Sequence, residues 1–318
     1  MAMWQVAVGY VLEVSLAFLF ALLAYTFHRT TPGPSRTATR WWKAVGRSFA
    51  AFFECAIYFS LAIQLASVVF LAKRDFGMAP EGFGANETQI SLVTSVLCML
   101  PLLYPIGLLP MDREDDDANK RRNLHLFLFN LATLLFFYPF LSQGIHTWAP
   151  TRIGKGNDEG RDTIDETEWE NLNDVCWGGV QQLSESGRWA LAVIMMISSL
   201  VVYLFAFWVC FRRVFPGENR EQVSYMHGET GKLFSRGLTD RMQRALHSDV
   251  ARGIVLVFPT ALAACLLYFL FELRSIQEEL TISLRGEYTG NDWGFGQVIS
   301  VTIFAPVLVE FIYSLMYL

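Results

Sequence analysis

Three glutamates stand inside long apolar stretches of the chain: Glu13, Glu54 and Glu310. A charged side chain near the centre of a bilayer costs about 2.5–3.5 kcal/mol, so each carboxyl needs a partner, a proton or a water-filled cavity. Counting about 1.5 Å per residue along a helix, Glu13 falls near mid-depth, and the other two fall about 10–12 Å in from one membrane surface. These three carboxyls are therefore the first candidates for a functional site.

Two carboxyls at one depth have a definite chemistry. When such groups are close together in a medium of low dielectric constant, they cannot both ionise, and one keeps its proton at neutral pH. That group can act as a general acid, so the candidate catalytic residues are Glu54 and Glu310 as acid and partner, with Glu13 third. Polar side chains that could complete the site lie on predicted helices nearby: Tyr58, Gln64 and Asn130.

Two other interpretations of the glutamates are open at this stage. Each one can be protonated and hydrogen-bonded to a backbone carbonyl or a hydroxyl of another helix, or the group can conduct ions or protons. No cofactor and no metal is expected, because the sequence has no His-x-x-x-His, no Cys-x-x-Cys and no phosphate-binding glycine loop. The histidines His28, His125 and His146 fall at the ends of apolar stretches, where an interfacial role is expected.

The elements that must position these residues are membrane helices. The chain is 53% apolar and only 17% charged, with a mean hydropathy of +0.32, and its net charge of −5 gives no reason to expect a nucleic-acid partner. A helix needs about 20 apolar residues to cross a bilayer. The sequence predicts an all-α, polytopic membrane protein whose single domain, 1–318, has seven transmembrane helices, at residues 3–27, 47–72, 89–109, 124–142, 189–211, 250–271 and 295–318.

The basic residues predict the orientation of this bundle. Of the 25 Lys and Arg, 17 fall in the segments that follow spans one, three and five. Because cytosolic loops are enriched in basic residues, the amino terminus is expected outside or in the lumen and the carboxyl terminus in the cytosol. The sequon at Asn86, a predicted glycosylation site, falls in a loop that this orientation places outside.

Two long loops are expected. Residues 143–188 form an acidic extracytosolic loop, and residues 212–249 form a basic cytosolic loop that follows span five. The acidic run that begins at Asp112 resembles a diphosphate-binding motif, but the second acidic cluster, 158–165, falls on the opposite side of the membrane. A metal-dependent prenyltransferase is therefore not expected.

Two short segments carry a resemblance to known proteins: FECAIYFS at residues 53–60 and DWGFGQV at residues 292–298. In them the chain resembles fungal seven-span integral membrane proteins of unassigned activity. These are similar to the proteins of secondary-metabolite clusters, including the paxilline synthesis protein A type of indole-diterpene clusters. The resemblance implies a multi-pass protein of the endoplasmic reticulum or plasma membrane that accompanies terpenoid-type biosynthesis beside other membrane-bound enzymes.

The leading hypothesis is thus a membrane component of fungal secondary-metabolite biosynthesis. Its partners would be the lipid bilayer and a lipophilic intermediate, which it binds or processes. Prolines in four of the predicted spans favour a kinked bundle with interior cavities. The alternatives are an orphan seven-span receptor or sensor, suggested by Asp112-Arg113-Glu114 after span three, and a transporter or export helper.

Overall fold

The computed structural model describes residues 8–30, 36–75, 85–108, 116–148, 183–214, 249–283 and 302–317. Within these ranges all regular structure is helical, and no strand is present. The helices are α1 (Val8–Thr30), α2 (Arg36–Asp75), α3 (Ala85–Leu97), α4 (Leu103–Leu108), α5 (Asp116–Trp148), α6 (Glu185–Val214), α7 (Asp249–Ser283) and α8 (Ala305–Tyr317).

Five of these helices are long and apolar enough to cross a membrane. In lipid the backbone N–H and C=O groups find no water, so a spanning segment satisfies them within its own helix. The five stretches correspond to predicted spans one, two, four, five and six, and they are Val8–Thr26, Ala44–Lys73, Asn123–Ile145, Ser186–Cys210 and Gly253–Ile282. The described part of the chain is therefore all-helical, and the protein is a multi-pass membrane protein.

The outer faces of the bundle are apolar. Phe127, Leu134 and Phe137 on α5 are exposed, as are Leu204 and Phe207 on α6. Large apolar side chains of this kind, repeated along one face of a long helix, are costly in water and stable against lipid tails. These faces indicate direct contact with the bilayer.

Helix α2 lies at the centre of the packing, where it contacts α1, α3, α5 and α8. Its partner α1 runs antiparallel to it, because Tyr10 lies beside Phe59 while Phe20 lies beside Phe49, with ring centroids 5.6 and 6.3 Å apart. Phe52 is fully buried between Phe20 and the ring of Phe304, which precedes α8. Aromatic contacts therefore join α1, α2 and α8 into one interior layer.

The third predicted span differs from a continuous helix. Helix α3 ends at Leu97, residues 98–102 form turns, and α4 begins at Leu103. In the turns two backbone hydrogen bonds join residues three positions apart. The Met99 N–H donates to the Val96 carbonyl and the Leu103 N–H to the Leu100 carbonyl, both at 3.1 Å. The cause lies at residue 101, a proline, which has no N–H for the helix ladder. This irregular backbone is buried, which shields it from lipid.

Helix α4 continues in the direction of α3. The Tyr104 hydroxyl lies 2.6 Å from the Thr260 hydroxyl, and Gly107, further along α4, packs against Val255, which precedes Thr260 in α7. A Cβ atom at Gly107 would lie only 3.1 Å from the Val255 side chain, so a larger residue there would require Val255 to shift by a few tenths of an ångström. Both pieces of the third segment thus run antiparallel to α7.

The ends of spans six and seven also differ from expectation. The sixth span is predicted to end at Phe271, whereas α7 continues to Ser283. Leu273 and Ile276 are buried against the bundle. One face of α7 thus stays apolar at helical spacing, although charged residues occupy its other positions from Glu272 onwards. Of the seventh span, the described part holds the shorter apolar helix Ala305–Met316, and residues 295–301 lie outside the described ranges.

Removing a ring from the aromatic layer should destabilise the bundle. We expect Phe52→Ala to lower the free energy of unfolding by about 3–5 kcal/mol, because the cavity would be enclosed on all sides. The matched control is Phe137→Ala, whose ring faces outwards and should be nearly neutral. Thermal unfolding of the purified protein in detergent compares the two, and equal losses of stability would contradict the packing described.

Candidate functional site

Glu13 is the most enclosed of the three candidate carboxyls. It lies on the buried stripe of α1 with Tyr10, Ala17 and Phe20, residues spaced three and four apart on one helix face. Its side chain is fully buried, and neither Oε1 nor Oε2 has a hydrogen-bond partner among the described residues. An ionised carboxylate in such a place is costly, so the site calls for a proton or a ligand.

Polar groups of α2 and α3 form a small network around Cys98. The Gln64 Nε2 of α2 donates to the Ser95 carbonyl at 2.7 Å and lies 3.4 Å from the Cys98 sulfur. Ser60 donates to the Met99 sulfur at 3.2 Å. Cys98 lies within electrostatic range of Glu13. The break after α3 therefore carries a polar network, and its Cys98 is within electrostatic range of the α1 carboxyl.

Four side-chain oxygens of this region are buried and lack a hydrogen-bond partner among the described residues. They are the two carboxyl oxygens of Glu13, the Gln64 Oε1 and the Ser95 Oγ. Buried polar atoms in native proteins are nearly always paired, so each exception requires an explanation. We call Glu13, Gln64, Ser95 and Cys98 the interior polar site.

One cation approaches the same level of the bundle from α7. Arg274 lies within electrostatic range of the Tyr10 phenol, which also faces Thr94 and lies within range of Glu13. The Arg274 Nη1 donates to Gln277 on the same helix at 3.2 Å, and its Nε is buried without a hydrogen-bond partner among the described residues. The sequence analysis missed Arg274 because span six was expected to end before it.

Glu54 forms a different kind of site. Its Oε1 lies 3.1 Å from the Nε2 of His125 on α5, and the Phe53 ring meets the imidazole edge at a centroid distance of 5.0 Å. A carboxylate that holds one imidazole nitrogen fixes the orientation and tautomer of the ring, which suits proton transfer. The interfacial role expected for His125 did not include this pairing. The two residues are 71 positions apart, so no spacing in the sequence indicates it.

Glu310 lies on α8, where it accepts a hydrogen bond from Ser314 at 3.3 Å. Helices α2 and α8 are antiparallel, since Phe304 lies beside Phe52 and Phe311 lies beside Trp41. Glu54 is thus near the level of Phe304, and Glu310 is six residues further along, about 9 Å along the axis. The register separates the two carboxyls, which were expected at one depth, and their role as acid and partner stays a prediction.

The remaining predicted residues are dispersed. Asn130 accepts a hydrogen bond from the Cys210 thiol of α6 at 3.3 Å, and Tyr58 is exposed on the outer face of α2. Asn86 is the second residue of α3, and its glycosylation stays a prediction. Within the described ranges no group of three His, Cys, Asp or Glu could hold a metal ion. Only Gln64, among the proposed helpers, belongs to the interior polar site.

Comparison of the chain with protein-family models, with curated protein sequences and with solved structures returns no match. The class of protein is therefore defined by the fold alone, as a multi-pass helical membrane protein. Its function is therefore inferred from the residues of the two sites.

The contact between Glu54 and His125 should couple the stabilities of the two residues. In a double-mutant cycle of Glu54→Gln and His125→Gln, we expect a coupling energy of about 0.5–3 kcal/mol in thermal unfolding. A control cycle of His125→Gln with Glu279→Gln, an exposed residue of α7, should be additive. Additivity in the first cycle would show that the pair contributes nothing measurable.

Proposed function

We propose that this protein is a seven-span membrane protein that binds a lipophilic small molecule inside its helix bundle, as a component of fungal secondary-metabolite biosynthesis of the terpenoid or indole-diterpene type. The observation that carries the binding function is Glu13, a fully buried carboxyl whose two oxygens have no hydrogen-bond partner among the described residues. The pathway itself rests on the resemblance of residues 53–60 and 292–298.

The relative directions of the helices support seven crossings, and the outward amino terminus rests on the distribution of the basic residues. Antiparallel contacts join α1 to α2, the α3–α4 segment to α7, and α2 to α8. Helices α5 and α6 are also antiparallel, since Phe136 stacks on Tyr203 while Asn130, six residues earlier, meets Cys210. These directions are compatible with seven alternating crossings, if the third segment is one interrupted span and α8 is part of the seventh.

A lipophilic ligand fits the chemistry of the interior. A molecule dissolved in the bilayer can enter the bundle without leaving an apolar medium, and its hydrocarbon part would pack against the aromatic layer. Its polar group would then meet the unpaired oxygens of the interior polar site. The hydrogen bonds made there are strong because water is excluded, and the alternative is a buried polar group left unpaired.

If the ligand is chemically changed, two acidic groups are placed for different tasks. Glu13 is enclosed and would contact the ligand directly, as a hydrogen-bond partner or general acid. Glu54, held by His125 and about a third exposed, is suited to exchange protons with the outside of the bundle. Glu310, the predicted partner of Glu54, lies about 9 Å from it along the helix axis, and its part in proton transfer stays a prediction. We propose that other membrane-bound enzymes of the pathway supply and consume the ligand.

Deletion of the gene in a producing strain should remove or change the metabolite profile, and Glu13→Gln should reproduce the deletion. The amide preserves the shape of the side chain but neither ionises nor donates a carboxyl proton. Chromatography of culture extracts with mass detection measures both effects, with Glu279→Gln as the matched control. An unchanged profile after deletion would remove the proposed function.

The same assay separates the two carboxyl sites. We expect Glu54→Gln and Glu310→Gln to lower product formation only if the ligand is chemically processed. Retention of product by both variants, with membrane levels equal to the unmodified protein, would rule out acid catalysis by this pair. That result would not bear on ligand binding at Glu13.

The orientation can be tested at the sequon. If the loop before α3 faces the lumen, the protein from its native membrane should carry a glycan on Asn86, and a glycosidase should increase its electrophoretic mobility. Asn86→Gln should show the higher mobility without treatment. Glycosylation acceptors introduced into the 212–249 loop should stay unmodified, and a glycan there would reverse the proposed orientation.

A further inference from the structure

The first turns of α2 carry a row of basic positions on one face of the helix. Four of them recur at intervals of four, three and four residues, which is the spacing of a single helix face: Arg36, Arg40, Lys43 and Arg47. Residues 14–53 contain no Asp or Glu, so this stretch of sequence supplies no carboxylate to balance the four charges. We call these four positions the α2 basic face.

The α2 basic face continues into the lipid-facing side of the helix. Arg47 is exposed, and so are Tyr58 and Leu65, which lie on the same face eleven and eighteen residues further on. The packed residues of α2 occupy other faces, where Phe52 meets α1 and Gln64 bonds to α3. The basic face is therefore turned away from the interior and towards the surrounding lipid.

The contact between Glu54 and His125 indicates the depth of this face. His125 lies two residues after Asn123, where the apolar stretch of α5 begins, so the contact is near one membrane surface. Arg47 is seven residues before Glu54, about 10 Å closer to the start of α2 along the axis. The headgroup layer is about 5–8 Å thick on each side of the hydrocarbon core. The basic face thus begins at the level of the lipid phosphates.

Helix α5 brings further basic residues to the same surface. In the seven-crossing arrangement α2 and α5 run in the same direction, and Arg121 and Arg122 precede His125 by one turn. They therefore lie on the same side of the contact with Glu54 as Arg47 does. Two parallel helices that touch at this level both have basic residues just before the contact.

An exposed cation at the edge of a bilayer is stabilised when it reaches a headgroup phosphate. Arg47 has no ion-pair partner among the described residues that could take this role. Clusters of four to eight basic residues beside a membrane helix are typical of sites for anionic lipids, because a zwitterionic headgroup carries no net charge to balance them. The number and position of the basic residues here fit that class of site.

We propose that the α2 basic face and the start of α5 bind an anionic phospholipid, whose phosphate lies at the level of Arg47 and whose acyl chains lie along the exposed side of α2. In the proposed orientation this surface faces the cytosol, and the cytosolic leaflet carries the anionic lipids. The site is separate from the interior polar site and does not depend on the proposed pathway.

The test uses the full chain, purified in a neutral detergent. Thermal unfolding is followed during titration with phosphatidylcholine, phosphatidylserine or a phosphatidylinositol bisphosphate, at about 0.1 M and about 0.5 M salt. We expect the anionic lipids to raise the unfolding midpoint and phosphatidylcholine not to, with most of the difference lost at high salt. Equal midpoints with all three lipids would overturn the proposal. Equal stabilisation by a soluble inositol phosphate would assign the charges to a free anion and overturn the lipid.

Variants test the position of the site. We expect Arg47→Gln to weaken the affinity for the anionic lipid about fivefold, the contribution of one basic residue near a membrane surface. Arg47→Lys keeps the charge and should bind nearly as the unmodified protein does. The matched control is Lys73→Gln, an exposed residue at the other end of α2, which should not change the affinity. Equal losses in Arg47→Gln and Lys73→Gln would show a general charge effect and overturn the site.

A second readout needs no variant. Mass spectrometry of the intact, unmodified protein released from its native membrane should show a bound anionic phospholipid, and retention of zwitterionic lipid alone would count against the site. Both readouts are distinct from the metabolite assay. An unchanged profile after gene deletion would remove the proposed function and leave the lipid site, whereas the absence of any lipid preference would remove the lipid site and leave ligand binding at Glu13.

Discussion

The fold depends on the requirement that every polar group within the bilayer be satisfied inside the protein. The long helices meet it through their own backbone bonds, and Ser, Thr and Cys side chains meet it by bonding to carbonyls one turn back, as Ser48 and Thr133 do. The described residues do not meet this requirement at several buried side-chain atoms, and four of them are oxygens of the interior polar site. We propose that Glu13 is the residue at which the stability of the bundle and its function are connected.

The break after α3 is the second feature of the interior polar site, beside Glu13. A continuous helix at residues 98–102 would use its carbonyls internally and would leave Gln64 without the Ser95 carbonyl that now accepts from it. Pro101 prevents this, and the surrounding helices bury the irregular turns. One proline thus frees backbone groups, and α2 supplies the side chain that fixes their arrangement.

The sequence was sufficient for features that depend on composition along one segment. It predicted five of the membrane helices found here and the position of Glu13 within the first of them, because a run of apolar residues determines both. It did not predict the contact of Glu54 with His125, the register of Glu310 against α2, or the approach of Arg274. Each of these depends on which helix faces are turned towards each other, which side-chain spacing within a single segment does not specify.

The central claim is that the unpaired oxygens of Glu13 receive a group that is not part of the protein. The most direct measurement is a high-resolution map of the full chain purified from its native membrane. The account predicts non-protein density within about 3 Å of the Glu13 carboxyl, beside Gln64 and the end of α3. A map in which both carboxyl oxygens are bonded to protein groups, with no such density, would contradict it.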